Sequence, residues 1–251
     1  HRHYDLGNDF FRLFLDAELL MYSCGYFESA ADSLEMAQTQ KIDRICRRLG
    51  LTPSDHVLEI GSGWGGFAVW ASTQYGCRVT TTMISDGQFR YVRDWRSRLG
   101  EAGSRIDVLR ADYRELTGQF DKVVSIEMFE AVGLNRYDEY FAAADRLLAP
   151  DGAMLLQTIT VDDQWFPKYH GTPDWIEKYI FPGGELASVG EILQSLARTT
   201  SLSMYHAENV GTHYARTLRG WRARFHDRLA RVRALGFDER FIRMWDLYLG
   251  Y

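Results

Sequence analysis

The chain has 251 residues, of which 46% are hydrophobic and 25% charged, and its formal net charge is -5. That length can bury one full core, and an acidic balance with interspersed charges leaves no electrostatic footprint for nucleic acid. Three cysteines, Cys24, Cys46 and Cys77, form no CxxC pair and no cluster with the seven histidines, so neither a disulfide framework nor a metal site is expected.

No apolar run is long enough to span a bilayer and no signal peptide is visible, which together with the free thiols fits a reducing cytoplasm. The chain begins at His1 rather than Met, leaving room for a leader or N-terminal domain upstream. In chain order, the apolar spacing predicts helices at residues 9–15 and 34–49, joined by Met21-Tyr22-Ser23-Cys24-Gly25-Tyr26-Phe27. These form a helical lid of about 50 residues ahead of an alternating pattern that starts near Asp55. Short β-branched strands are predicted at residues 56–60, 78–82, 106–110, 122–126 and 152–160, with amphipathic helices between them and a Pro150-Asp151-Gly152 turn before the fifth. An aromatic-rich insertion at 161–190 follows and is expected to cap the sheet. A helix at 191–197, a short strand at 202–206 and amphipathic helices at 214–235 and 238–249 complete the chain. The whole reads as one doubly wound, mostly parallel α/β domain.

Val57-Leu58-Glu59-Ile60-Gly61-Ser62-Gly63-Trp64-Gly65-Gly66-Phe67 is an apolar strand that ends in a glycine turn and opens into a helix. Glycines at 61 and 63 let backbone approach a nucleotide-like ligand, and Glu59 offers a carboxylate near it. A dinucleotide fold places an acidic ribose-binding residue at the end of the second strand, where this chain has Met83 and Ile84. Gln88, in the first turn of the next helix, offers an amide instead. The turn therefore resembles the first motif of S-adenosylmethionine-dependent methyltransferases more than a nicotinamide fingerprint. Ligands in open parallel sheets bind beyond the carboxyl ends of the strands. That rule selects Met83 to Gln88, Ala111-Asp112-Tyr113-Arg114, Glu127-Met128-Phe129-Glu130-Ala131-Val132-Gly133 and Gln157-Thr158-Ile159.

Residues His3-Tyr4-Asp5-Leu6-Gly7-Asn8-Asp9-Phe10, the MYSCGYF loop, the GSGWGG turn, Ile84-Ser85 with Gln88, Asp112-Tyr113-Arg114, SIEMFEAVG, YIFPGG and His213-Tyr214-x-x-Thr217-Leu218 stand in one order along the chain. Together they resemble the cyclopropane-fatty-acid synthase and mycolic acid cyclopropane synthase family. The resemblance implies a Rossmann-like class I methyltransferase fold and methylation or cyclopropanation of the cis double bond of an acyl chain. It further implies peripheral contact with a membrane holding unsaturated phospholipid, and leaves room for a homodimer. It assigns the cofactor pocket to Tyr22, Ser23, Gly61, Gly63, Ile84, Gln88, Asp112 and Tyr113. It assigns the acceptor site to Cys24, Glu130, Gln157, Ile159 and Tyr214, which in the family surround a bicarbonate ion acting as base.

Two positions depart from the better-known members. Gln157 stands where they carry histidine, and Glu130-Ala131-Val132-Gly133 replaces Glu-His-Val-Gly. An amide still donates to an oxyanion but does not titrate near neutrality, so a methylene or methyl-branched product stands beside the cyclopropane. Cys24 is read as a small buried side chain acting through its backbone, and His206 and His213 as structural. Most of the aromatic residues in the second half are read as core, and Tyr214 would, without the family match, divide evenly between packing and function. Arg216, Arg219, Arg222 and Arg224 offer a basic cluster for membrane docking, although a solvated helix face is the favoured reading. Methylation of a non-lipid small molecule and cofactor binding without catalysis are the competing readings.

Overall fold

A computed structural model describes residues 6–172 and 174–251. His3, Tyr4 and Asp5 of the first motif lie outside the described residues. Five strands, β1 (His56–Ile60), β2 (Arg78–Met83), β3 (Ile106–Arg110), β4 (Phe120–Ile126) and β5 (Leu148–Gln157), pair in the order β3-β2-β1-β4-β5, every pair parallel. β1 sits at the centre and is buried from Val57 to Ile60, which is why it reads as a continuous apolar run rather than an alternating one. The order reverses at β1, between β2 and β4. The register sets Ile60 beside Thr82 and Ile126 beside Gln157, so the strand ends that carry polar residues share one edge.

The helix Leu34–Arg48 is capped by Ser33, whose side chain accepts from the Met36 amide, and it lays Leu34, Ala37, Gln38, Lys41, Ile42, Ile45 and Cys46 against the interior. A second, aromatic core joins the two ends of the chain. Phe10, Phe11, Phe14, Trp221, Phe225 and Trp245 are all buried there with Trp175 and Phe181 packed against them, and Phe166 is also buried, which agrees with reading most second-half rings as packing. Trp165 and Tyr179 of the insertion remain exposed.

Four predicted elements differ from what is seen. β5 begins at Leu148 and absorbs the Pro150-Asp151-Gly152 turn as an irregularity, pairing Phe120 with Leu148 and then Lys122 with Ala153. It stops at Gln157 because Thr158 and Ile159 turn their donors toward Glu130 instead of a neighbouring strand. Residues 202–206 form no strand, and Tyr205 there is fully exposed with no ladder to join. The helix predicted at 214–235 is two, Gly211–Asp227 and Leu229–Ala234. They break at Arg228, which leaves helical geometry while its guanidinium donates to the Leu13 carbonyl. Only Asn8–Phe11 of the first predicted helix is regular.

Candidate active site

The glycine turn leaves β1 with positive φ at Gly61 (88°), Gly63 (51°) and Gly65 (87°). A Cβ on Gly61 would meet the Met128 side chain at 2.6 Å, whereas one on Gly63 would meet nothing within 4 Å. The first glycine thus lets the segment after β4 pack onto the turn, and the second leaves backbone bare toward open space, as close approach of a ligand requires. Ile84 is exposed at the end of β2, Gln88 lies nearly buried in the first turn of the helix Asp86–Ser97, and Tyr113 sits edge-on to Tyr140. The Asp112 carboxylate is held by Arg114 through its backbone and guanidinium, which keeps it ionised below its usual range. Glu59 is fully buried and accepts from the Thr81 hydroxyl at 2.5 Å, and burial raises its pKa to about 8.

On the other side of Met128 the structure gathers all five residues assigned to the acceptor site. Their hydrogen bonds converge on two carboxylates, one of which was not among them. Glu127 Oε1 accepts from the Cys24 amide at 2.9 Å and from Gln157 Nε2 at 2.9 Å, and its Oε2 accepts from the Tyr214 hydroxyl at 3.0 Å. Glu130 Oε1 accepts from the Ile159 amide at 2.6 Å and the Thr158 hydroxyl at 2.9 Å, while Glu130 Oε2 is buried without a partner. Desolvation raises the pKa of both carboxyls, and for Glu130 the neighbouring Glu127 raises it further. Such a pair resists carrying two charges at once. The Cys24 thiol is pushed up to about 12, first by burial and then by Glu127, so it is no nucleophile and contributes its backbone amide.

The wall carrying Tyr22, Ser23 and Cys24 is held from behind. Asp16, fully buried, accepts three amides in succession, from Leu19 at 2.7 Å, Leu20 at 3.1 Å and Met21 at 2.7 Å. Gln38 Nε2 donates to the Ser23 carbonyl at 2.9 Å and Lys41 Nζ to the Ser23 hydroxyl at 2.6 Å. The Ser23 side chain is therefore engaged with the helix behind it. Burial lowers the Lys41 pKa to about 8, opposed by Glu127 and Asp16. Aromatic rings close the site: Tyr22 lies 5.3 Å from Trp221 and 6.1 Å from Phe181, and Tyr214 lies edge-on to Trp221 at 6.4 Å. The insertion folds over the same edge, with the Glu185 amide donating to the Glu130 carbonyl at 2.8 Å and Thr160 bridging to Ala187.

Sequence reasoning placed Glu127 on the ligand edge but gave it no role, and it missed Lys41. Both had a signal: Glu127 ends an apolar strand three positions before Glu130, and Lys41 falls on the apolar stripe of its helix. Three of the four arginines of the proposed basic cluster are engaged by partners within the chain. Arg216 donates to the Ser29 and Ala30 carbonyls and Arg224 binds Glu35 and the Leu15 carbonyl, while Arg222, paired with Asp246, and Arg219 stay exposed. Among the described residues there is no group of His, Cys, Asp and Glu that could hold a metal, and no helix long and apolar enough to cross a membrane.

Comparison with known proteins identifies relatives of this fold. The chain is 42% identical over 256 residues to tuberculostearic acid methyltransferase UfaA1 of Mycobacterium tuberculosis, covering 99% of this chain and 59% of that protein. It is 41% identical over 247 residues to cyclopropane-fatty-acyl-phospholipid synthase of Escherichia coli, covering 98% of this chain and 61% of that one. The chain thus spans about six-tenths of the length of these relatives. Mycolic acid cyclopropane synthase CmaA1, solved with S-adenosylhomocysteine and CTAB, superposes with a TM-score of 0.90 at 34% identity, covering 99% of this chain and 89% of that one. The fold is therefore shared with a cyclopropane synthase, and the family described as mycolic acid cyclopropane synthetase matches residues 1–251. The chain belongs to that family.

Proposed function

We propose that this chain is an S-adenosylmethionine-dependent C-methyltransferase that acts on the cis double bond of unsaturated phospholipid acyl chains and forms a cyclopropane. One observation carries the proposal. A bare glycine turn packs on Met128, beside an aromatic-lined site whose centre is a pair of buried carboxylates. An isolated alkene is a weak nucleophile, so alkylation develops positive charge on an acyl carbon. Ring faces such as Tyr22 and Trp221, and the carboxylates beside them, stabilise such a charge once water is excluded.

The residues present fit the cofactor. Gly61 and Gly63 open the turn, Ile84 offers an exposed apolar face for a base, and Gln88 offers an amide to a ribose. S-adenosylmethionine supplies, when bound, a methyl group activated by a sulfonium. Tyr22 and Ser23 form the wall between that turn and Cys24. Because the acceptor chain belongs to a bilayer lipid, the reaction takes place at a membrane surface.

A second product is favoured by a specific observation. The relative at 42% identity is named a tuberculostearic acid methyltransferase, and Gln157 departs from the histidine of the better-known synthases. Methylene formation from the same cation, by a 1,2-hydride shift and loss of a proton from the added methyl group, is the corresponding reading, and a methyl branch would follow only with reduction by a separate hydride donor. Incubation with vesicles of unsaturated phospholipid and methyl-labelled cofactor, followed by mass analysis of the released acyl chains, tests both. One added carbon per double bond supports the proposal, and the fragmentation pattern distinguishes ring from branch. Cofactor binding with no labelled acyl chain would overturn it.

A further inference from the structure

The donors assigned by resemblance to a bicarbonate ion are already taken. The Cys24 amide, Gln157 Nε2 and the Tyr214 hydroxyl all serve the two oxygens of Glu127, and the Ile159 amide serves Glu130. Bicarbonate does not fit this arrangement. Its entry would strip Glu127 of all three donors and add another negative charge to a site where burial already disfavours ionisation.

The backbone supplies a second, independent observation. Glu127 has φ 48°, a left-handed conformation that suits glycine and strains a residue with a Cβ. Its amide is nonetheless well held, donating to the Gln157 carbonyl at 2.7 Å. A glutamate kept in a glycine-like conformation, with its carboxylate bonded by donors from three separate segments, is a side chain placed for what its oxygens do.

We propose that Glu127 is the general base of the reaction and stands where the family's bicarbonate would lie, so that this enzyme carries its own base in the chain. The inference rests on the proposed C-methylation. In that reaction a carbon–carbon bond forms from the alkene π pair as the methyl carbon–sulfur bond breaks, its electrons remaining on sulfur. Glu127 takes a proton from the transferred methyl carbon, and the released C–H pair closes the ring onto the cationic carbon. The proton rests on Glu127 and is lost to solvent before the next turnover. Lys41, buried behind Ser23, supplies the positive field that favours the ionised carboxylate, opposing the desolvation of Glu127.

The test compares wild type, Glu127→Gly and Glu127→Gln in buffer stripped of carbon dioxide, with and without millimolar bicarbonate, on vesicles of unsaturated phospholipid. Wild-type turnover should be the same in both buffers. Glu127→Gly suits the backbone and vacates the donors, so its turnover should fall about 100-fold or more in stripped buffer and recover on adding bicarbonate. Glu127→Gln keeps the place filled with a group that takes no proton, so it should be equally slow and unresponsive, and its thermal unfolding provides the folding control. Titration of carbon-13 bicarbonate, followed by NMR line broadening, should show binding to Glu127→Gly and none to wild type. A wild-type rate that rises saturably with bicarbonate, or bicarbonate binding by wild type, would overturn the inference. If no variant methylates lipid under any condition, the proposed function fails, while the bicarbonate titration still decides the place of Glu127.

Discussion

The Tyr214 hydroxyl donates to Glu127 Oε2 at 3.0 Å across 87 positions of sequence, tying a helix near the end of the chain to the end of β4. A hydrogen bond to a charged acceptor contributes about 1.5 to 3 kcal/mol. Tyr214→Phe should therefore reduce turnover about 10- to 100-fold while leaving cofactor affinity within about twofold, as paired kinetics and calorimetry would show. Loss of a donor to the ionised form also raises the Glu127 pKa, so the acidic limb of the pH–rate profile should move to higher pH.

Glu130→Gln should move that limb the other way. The amide oxygen can still accept from Ile159 and Thr158, but the like charge beside Glu127 is gone. With Lys41, Cys24 and Tyr214 unchanged around it, Glu127 loses a like-charged neighbour, and the limb should move to lower pH. The plateau rate should drop while cofactor affinity holds. A drop of affinity and rate together would contradict the division of the site into two halves.

Cys24→Ala should retain most of the turnover, within about threefold, because the amide and not the thiol meets Glu127. Resistance of the wild-type rate to thiol alkylation gives the same reading without a mutation.

The two glycines of the turn should separate stability from binding. Gly61→Ala drives a methyl into Met128 at a positive φ and should destabilise the protein by about 3 kcal/mol in urea unfolding. Gly63→Ala meets open space, so only about 1 kcal/mol of backbone cost is expected, with at least about tenfold weaker cofactor binding by calorimetry.

Glu59 makes stability depend on pH. Its folded pKa of about 8 lies above the ordinary 4.5, so the folded state holds this proton more tightly than the unfolded one. Its contribution is fully present in acid below the ordinary value and is lost as pH rises toward and through 8. Glu59→Gln still accepts from Thr81 and stays neutral. It should exceed wild-type stability by about 1 to 3 kcal/mol above that pH and match it in acid, as denaturant titrations at the two extremes would reveal.

The sheet was legible because β1 to β4 are short apolar runs bounded by turn signals, and periodicity reports burial directly. Gln157 and Ile159 could be placed at the site for the same reason, since strand ends in a parallel sheet converge. Residues 202–206 show the limit: an alternating pattern predicts a strand only if a neighbour offers a ladder, and none does. Glu127 was harder for a different reason. Two glutamates stand three positions apart in one segment, and which of them takes the Cys24 amide depends on a left-handed backbone turn that residue type argues against. Lys41 was hidden by the habit of reading a lysine on a helix as solvated, although its neighbours on the stripe are apolar.

Asp16 has a reach that its distance along the chain from the chemistry conceals. By gathering the amides of Leu19, Leu20 and Met21 it decides where the segment of Tyr22, Ser23 and Cys24 begins, and so where the Cys24 amide stands relative to Glu127. The alignment of the base is thereby set by a peg on the far side of the wall. An alteration at that peg would reach the reaction as an error of register, shifting the donor along the chain while every group at the site keeps its own identity.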